Sequence, residues 1–263
     1  MSHNRTVDQE FALAIFNADF EEAVRLWKEG ADINRVIPTM EPDERGIYEG
    51  TTTYLVESAS RGQVEAARFL LDNGADPNIA IVSINPGQTA LLAAASHDHA
   101  EIVELLLKYG ANSSAVDHPT KSSAIEYGVN NENAAIVRSL LAAGAPPIFR
   151  RLSFNRDGGA EARKIVRMLI EHGFDINARD DWGRTPLMWA ADHAPLETLQ
   201  FLIDSGADVN IVSGGNMNGV DTNETALQLA QGTKRNDVVA LLLRHGASET
   251  PSRPGLIRKL LKW

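Results

Sequence analysis

The chain has 263 residues, 43% of them hydrophobic and 23% charged, with a formal net charge of −10 at pH 7. It contains no cysteine, which excludes disulfides, thiolate metal sites, iron–sulfur ligation and a cysteine nucleophile. No apolar run approaches membrane-spanning length, and Met1-Ser2-His3-Asn4-Arg5 does not open a signal peptide, so the sequence reads as a soluble cytoplasmic protein.

A first helix is predicted from about Val7 to Asn17, where Phe11, Ile15 and Phe16 form an apolar stripe. From there a phrase recurs: Gly30-Ala31-Asp32-Ile33-Asn34, Gly74-Ala75-Asp76-Pro77-Asn78, Gly110-Ala111-Asn112, Gly144-Ala145, Gly173-Phe174-Asp175-Ile176-Asn177, Gly206-Ala207-Asp208-Val209-Asn210 and Gly246-Ala247. Successive glycines lie 44, 36, 34, 29, 33 and 40 residues apart. A second phrase stands 21 residues before five of them, at Thr53-Tyr54-Leu55, Thr89-Ala90-Leu91, Ser123-Ala124-Ile125, Thr185-Pro186-Leu187 and Thr225-Ala226-Leu227. The intervals outside that fixed segment run from 12 to 23 residues, the pattern of a packed unit joined by tolerant loops.

The fixed segment is a helix–turn–helix. Thr or Ser suits an N-cap, small residues such as Ala93-Ala94-Ala95 let helices approach closely, and a break follows at Arg61-Gly62, His97-Asp98 or Asn130-Asn131. A second helix then carries apolar residues at helical spacing, as in Ile102, Val103, Leu105, Leu106 and Leu107, and the glycine ends it in a left-handed C-cap. A unit this small cannot bury its own apolar face, so neighbours must stack. The fifth unit is irregular: its first helix is predicted over Pro147 to Ser153, with a break at Phe154-Asn155-Arg156-Asp157-Gly158-Gly159 that could bend the stack.

Asp180-Asp181-Trp182-Gly183-Arg184-Thr185-Pro186-Leu187-Met188-Trp189-Ala190-Ala191, followed by Gly206-Ala207-Asp208-Val209-Asn210, resembles a nearly complete ankyrin repeat. The resemblance implies an all-α ankyrin-repeat solenoid: about seven stacked helix-turn-helix units over residues 1–250, with β-hairpin-like finger loops. Residues 251–263 would then add a short C-terminal capping helix, with Leu256, Leu260 and Trp263 covering the last repeat. One family feature is missing. The His expected after Thr-Pro-Leu is replaced by Val56, Leu92, Glu126, Met188 and Gln228, so these copies are expected to lack its stabilising hydrogen bond.

In this family the inner helices and finger tips form a concave binding face. The finger from Arg35 to Thr52 is the leading candidate: within it, from Pro38 to Gly50, Glu41, Asp43, Glu44 and Glu49 stand against Arg45 alone, with Met40, Ile47 and Tyr48 as apolar anchors. Longer fingers also run over Ile79 to Gln88 and Ile211 to Glu224. On the concave side the pattern predicts exposure of Ser60, Arg61, Ser96, His97, Asn130, Asn131, Trp182, Arg184, Asp192 and His193, with Trp182 beside Arg184 as the most binding-like pair.

Motifs for catalysis or metal binding are thin. His97-Asp98-His99 lies at an interhelix break, Gly232-Thr233-Lys234 lacks the glycine spacing of a P-loop, and Asp221-Thr222-Asn223-Glu224 lacks the sixth-position Gly and terminal Glu of a calcium loop. No cofactor is expected.

Residues 1–148 hold 10 Lys/Arg against 21 Asp/Glu, whereas residues 149–263 hold 15 against 14. An acidic arm disfavours nucleic acid and favours a basic protein surface. The expected function is therefore non-enzymatic binding of one protein partner, with no membrane contact and a monomeric free state. Three other readings compete: an immunity or inhibitor protein against a basic toxin such as a nuclease, an adaptor joining two partners, or an enzyme with a site near Trp182, Arg184, Asp192 and His193.

Overall fold

The computed structural model describes residues 6–38, 51–81, 86–118, 120–148, 159–180, 182–217 and 220–248; for Pro38, 215–217 and 220–222 only the backbone is described. Thirteen helices and two two-stranded hairpins lie in these residues, grouped into two compact units, Met1–Pro146 and Pro147–Trp263.

The first unit begins with α1 (Val7–Phe16) and α2 (Phe20–Lys28), then continues as helix pairs: α3 (Tyr54–Ser60) with α4 (Val64–Asp72), α5 (Ala90–Ser96) with α6 (Ala100–Lys108), and α7 (Ala124–Asn130) with α8 (Ala134–Ala142). The first helices of the pairs pack in a row, α1 on α3, α3 on α5 and α5 on α7, and the second helices form a row behind them. Small residues permit this spacing; Ala93, Ala94 and Ala95 are wholly buried. In α6, Ile102, Val103 and Leu106 are fully buried, and each such side chain contributes roughly 1.5–3 kcal/mol by leaving water.

The second unit holds α9 (Ala160–Glu171), α10 (Pro186–His193) with α11 (Leu196–Asp204), and α12 (Ala226–Gly232) with α13 (Asn236–Arg244). Here α10 packs on α12, while α9 and α13 both pack on α11. The α9 helix therefore lies in the outer row. The inner helix expected over Pro147 to Ser153 is not present at Pro147 and Ile148, which are non-helical; residues 149–158 lie outside the described set.

Each predicted N-cap is realised. Thr53, Thr89, Ser123, Thr185 and Thr225 hold extended backbone, and each hydroxyl accepts the amide three residues on. The hydrogen bond expected to be lost with the family His returns in three copies by another route, most weakly at Met188, whose sulfur accepts from the Thr185 amide at 3.5 Å. Glu126 Oε2 accepts from the Ser123 amide at 2.9 Å, and Gln228 Oε1 accepts from the Thr225 amide at 3.0 Å. Both side chains sit at the third helical position, within reach of the N-cap amide. Val56 and Leu92 offer no acceptor there.

The recurring Gly-Ala-Asp-x-Asn phrase has a use for every letter. The glycines that end the second helices, such as Gly74 at φ +90° and Gly206 at φ +98°, adopt the left-handed conformation that a β-carbon disfavours. The alanine is buried; the Asp carboxylate accepts the amide two residues later, as Asp76 does from Asn78 at 2.9 Å. The Asn then reaches the next repeat. Asn78 accepts the Asn112 amide at 2.8 Å and donates to Gly110 O at 3.2 Å, and Asn210 does the same to Ser248 and Gly246.

The long first finger stands on a ladder. β1 (Val36–Pro38) runs antiparallel to β2 (Thr51–Thr53), pairing Val36 with Thr53 and Pro38 with Thr51. The last finger carries β3 (Gly215–Met217) paired with β4 (Val220–Thr222). The expected C-terminal capping helix over 251–263 lies outside the described residues.

Candidate partner-binding surface

In the second unit the finger before α10 and the helix itself assemble an aromatic and ionic cluster. Asp180 organises the turn: one carboxylate oxygen accepts the amides of Trp182 at 2.9 Å and Arg184 at 2.8 Å, while the other accepts the indole N–H of Trp189 at 2.6 Å. That fixes the two indoles edge to face, with centroids 5.8 Å apart and planes at 71°. The Arg184 guanidinium lies over the Trp189 ring at 4.9 Å and pairs with Asp192 at 3.2 Å, with Glu224 of the next finger 3.9 Å away. Arg184 and Asp192 are thus only 12% exposed, less than the repeat pattern predicts, because stacking and pairing fold both inward. Trp182 remains half-buried and His193 exposed. Among the described residues, Arg184 Nε is buried without a hydrogen-bond acceptor.

In the first unit the predicted residues are dispersed along the row of inner helices. Arg61 pairs with Glu57 at 2.7 Å and lies over the Phe16 ring at 5.7 Å. Asn131 donates to the carbonyls of Ala95 and Ser96, at 3.1 and 3.3 Å, so its amide closes the end of the preceding inner helix. His97 is exposed, with Nδ1 3.0 Å from Ala93 O in its own helix, and its ring stacks on His99 at 6.3 Å. His99 in turn reaches Ser60 O at 3.0 Å. Glu41, Asp43, Glu44, Tyr48 and Glu49 lie outside the described residues; the β1–β2 ladder is their base.

Between the third and fourth repeats a polar pocket of about 200 Å³ opens beside His97. Its charged member is Asp117, 8% exposed, whose carboxylate accepts the Thr120 and Tyr127 hydroxyls and the Ser122 amide at 2.9 Å. Burial alone would raise the Asp117 carboxyl, but these donors and neighbouring His118 outweigh it and hold it below the usual value. Burial, then the Asp117 carboxylate, pushes the Tyr127 hydroxyl up to about 12.

The family model for ankyrin repeats (three copies) matches residues 58–149 and 159–213, more than half of the chain. The chain belongs to the ankyrin-repeat family. Among solved structures the ankyrin-repeat protein resembles the human ASB11 ankyrin repeat domain, with a TM-score of 0.67 and 23% identity over 91% of this chain and 99% of that one. It also resembles the ankyrin repeat domain of Bcl-3, a member of the IkappaB family, with a TM-score of 0.57 and 26% identity over 75% and 87% of the two chains. Similar sequences include a probable E3 ubiquitin-protein ligase, XBOS32 of Oryza sativa subsp. japonica, 29% identical over 62% of this chain and 32% of that protein. Another is the ankyrin repeat and KH domain-containing protein mask-1 of Caenorhabditis elegans, 33% identical over 74% of this chain and 7% of that protein. The ankyrin-repeat chain spans about a third of the length of the first curated relatives it matches. The fold is generally a non-enzymatic protein–protein interaction module. Among the described residues, no helix is long and apolar enough to cross a membrane.

Sequence reasoning missed three groups in this ankyrin-repeat protein. Trp189 and Asp180 join Trp182 and Arg184, and helical spacing carried the signal: Trp189 lies four residues after Thr185, on the turn above the finger. Glu224 and the pair Asp117–Tyr127 had none, because each meets its neighbours through a side chain that local periodicity does not place.

Proposed function

We propose that this chain holds a basic protein partner on the side lined by its inner helices and fingers. In the second unit the contact centres on Trp182, with Arg184, Asp192 and His193 around it. The observation that carries the reading is the cluster on Asp180: a half-buried indole held edge-on to a second one and framed by charged groups is rigid and amphipathic, as interface anchors are. Arg61, His97 and Asn131 line the corresponding side of the first unit, and Glu41, Asp43, Glu44, Tyr48 and Glu49 belong to the finger rooted in the β1–β2 ladder. The acid excess of residues 1–148 supports a basic partner, and the lack of cysteine accords with a cytoplasmic setting.

Capture of partners by the purified chain, followed by affinity measurement, tests this. Trp182→Ala should weaken binding at least about tenfold, the loss of one interface anchor. Replacing Glu41, Asp43, Glu44 and Tyr48 together by Ala should weaken it further; unchanged affinity in that variant sinks the finger assignment. A second reading, an adaptor with one partner per unit, draws on one fact: the division at Pro146–Pro147 falls where the charge changes from strongly acidic to near neutral. Recovery of two partners, one insensitive to Trp182→Ala, would favour it. Inhibition of a basic toxin is a special case of the first reading, and an acidic surface is its sole support.

A further inference from the structure

The pocket beside His97 has a chemistry that names its occupant. Its volume, about 200 Å³, suits one long side chain rather than a cofactor. Among the described residues that line it, Asp117 supplies a carboxylate that already takes three hydrogen bonds and has His118 beside it, but no Lys or Arg stands against it. Tyr127 donates its proton to Asp117, so the phenolic oxygen is left to accept. His97 Nδ1 lies 3.0 Å from Ala93 O and 3.1 Å from the Ser96 hydroxyl, which spends its own proton on Ala93 O at 3.0 Å; with both neighbours accepting, the proton of the neutral ring sits on Nδ1 and Nε2 is an acceptor. Leu92 adds an apolar wall against which methylenes can pack.

The rim is built, not incidental. The His118 amide donates to Pro86 O at 2.8 Å, tying the fourth finger to the third. Gly87, at φ +83°, passes so close that a β-carbon would come within 3.0 Å of the His118 ring.

A carboxylate with several acceptors spread around a slot calls for a donor that is charged, planar and many-handed on an aliphatic stem. Five N–H groups in a fixed fork satisfy that description better than a compact ammonium. We infer that this pocket receives an arginine side chain of the partner protein. The inference rests on the interaction reading above and deepens it, because it places one residue of the partner.

The test needs no partner. The full chain is titrated with N-acetyl-arginine methylamide while the ring NMR signals of Tyr127 and His97 are followed. The citrulline counterpart, of the same shape without charge, and the lysine counterpart run in parallel. The arginine probe should move both rings with a millimolar dissociation constant, the range open to so small a ligand, and citrulline should bind at least tenfold more weakly. Ser96→Leu narrows the slot and removes the hydroxyl beside His97 Nδ1, yet leaves Asp117 and its donors in place, so it is read at the Tyr127 ring; it should abolish that shift while the chain stays folded. Absent shifts, or equal shifts with citrulline or with lysine, overturn the assignment. The two readings fail separately: a captured partner with no probe binding sinks the arginine pocket alone, whereas probe binding with no partner ever captured sinks the interaction reading.

Discussion

The Tyr127 hydroxyl points at a carboxylate that is itself nearly buried, and this placement fixes how the first unit responds to pH. With its folded value raised to about 12 from 10.0, Tyr127 keeps its proton in the folded state after the unfolded chain has lost it. Its contribution is therefore complete below pH 10 and disappears as pH rises towards about 12. Asp117 has the opposite sign: held below its ordinary value, it stabilises the fold above that value and stops doing so as acid protonates it. Urea unfolding of Tyr127→Phe should show a loss of about 1.5–3 kcal/mol near neutrality, the scale of a hydrogen bond to a charged group. Its decline between about pH 10 and 12 should be shallower than that of the wild type. Some slope will persist, because burial, then the charge of Asp8, also raises the Tyr54 hydroxyl.

A second effect at this scale concerns backbone strain. In five of the helix pairs the residue between the two helices takes a left-handed conformation: Gly62 does so freely at φ +72°, but Ala18, Asp98, Glu132 and Lys234 do so as non-glycines, whereas α10 and α11 are joined through Ala194 and Pro195 at negative φ. Lys234, at φ +59°, is exposed, so exchanging it removes little packing. Lys234→Gly should raise stability by up to about 1 kcal/mol, the left-handed strain less the added flexibility of the unfolded chain. A lower thermal midpoint in that variant would show that the Lys side chain matters more than its backbone.

At the scale of elements, repeats are joined by side chains that recur in the sequence, which explains why so much of the fold could be read from it. The Asn of the glycine phrase bridges one finger to the next at Asn78, Asn177 and Asn210. Because every contact of this kind joins neighbours, the periodicity of the sequence is also the periodicity of the packing. Asn78→Ala removes both an acceptor and a donor; exposure lets water replace part of each, so the expected cost is about 1 kcal/mol and a fall of about 2–4 °C in the thermal midpoint. Where periodicity failed, legibility failed with it. Ile148 stands where the phrase would have its Asn and Pro146 where it would have an N–H, and there the predicted inner helix at Pro147 and Ile148 is absent. The capping roles of Glu126 and Gln228 escaped notice for another reason: comparison with the family pattern registers a missing His, not a different side chain that reaches the same amide.

For the whole molecule, charge is the property that the sequence located and the fold gave boundaries. The acid excess belongs to the Met1–Pro146 unit, and residues 147–263 are nearly balanced. A surface of that kind acts over distances set by salt, with a screening length of about 10 Å at 0.1 M and about 3 Å at 1 M. If the acidic unit draws a basic partner, salt should act on encounter more than on residence, because rim charges steer approach while anchors such as Trp182 set the off-rate. Raising sodium chloride from about 0.05 M to about 0.5 M should therefore slow association at least tenfold and change dissociation only slightly. Trp182→Ala should do the reverse, leaving association nearly unchanged and speeding dissociation. Surface plasmon resonance on the captured partner separates the two rates. Association that ignores salt would mean that the acidity of the first unit serves solubility, and that the partner is selected by shape and apolar contact instead.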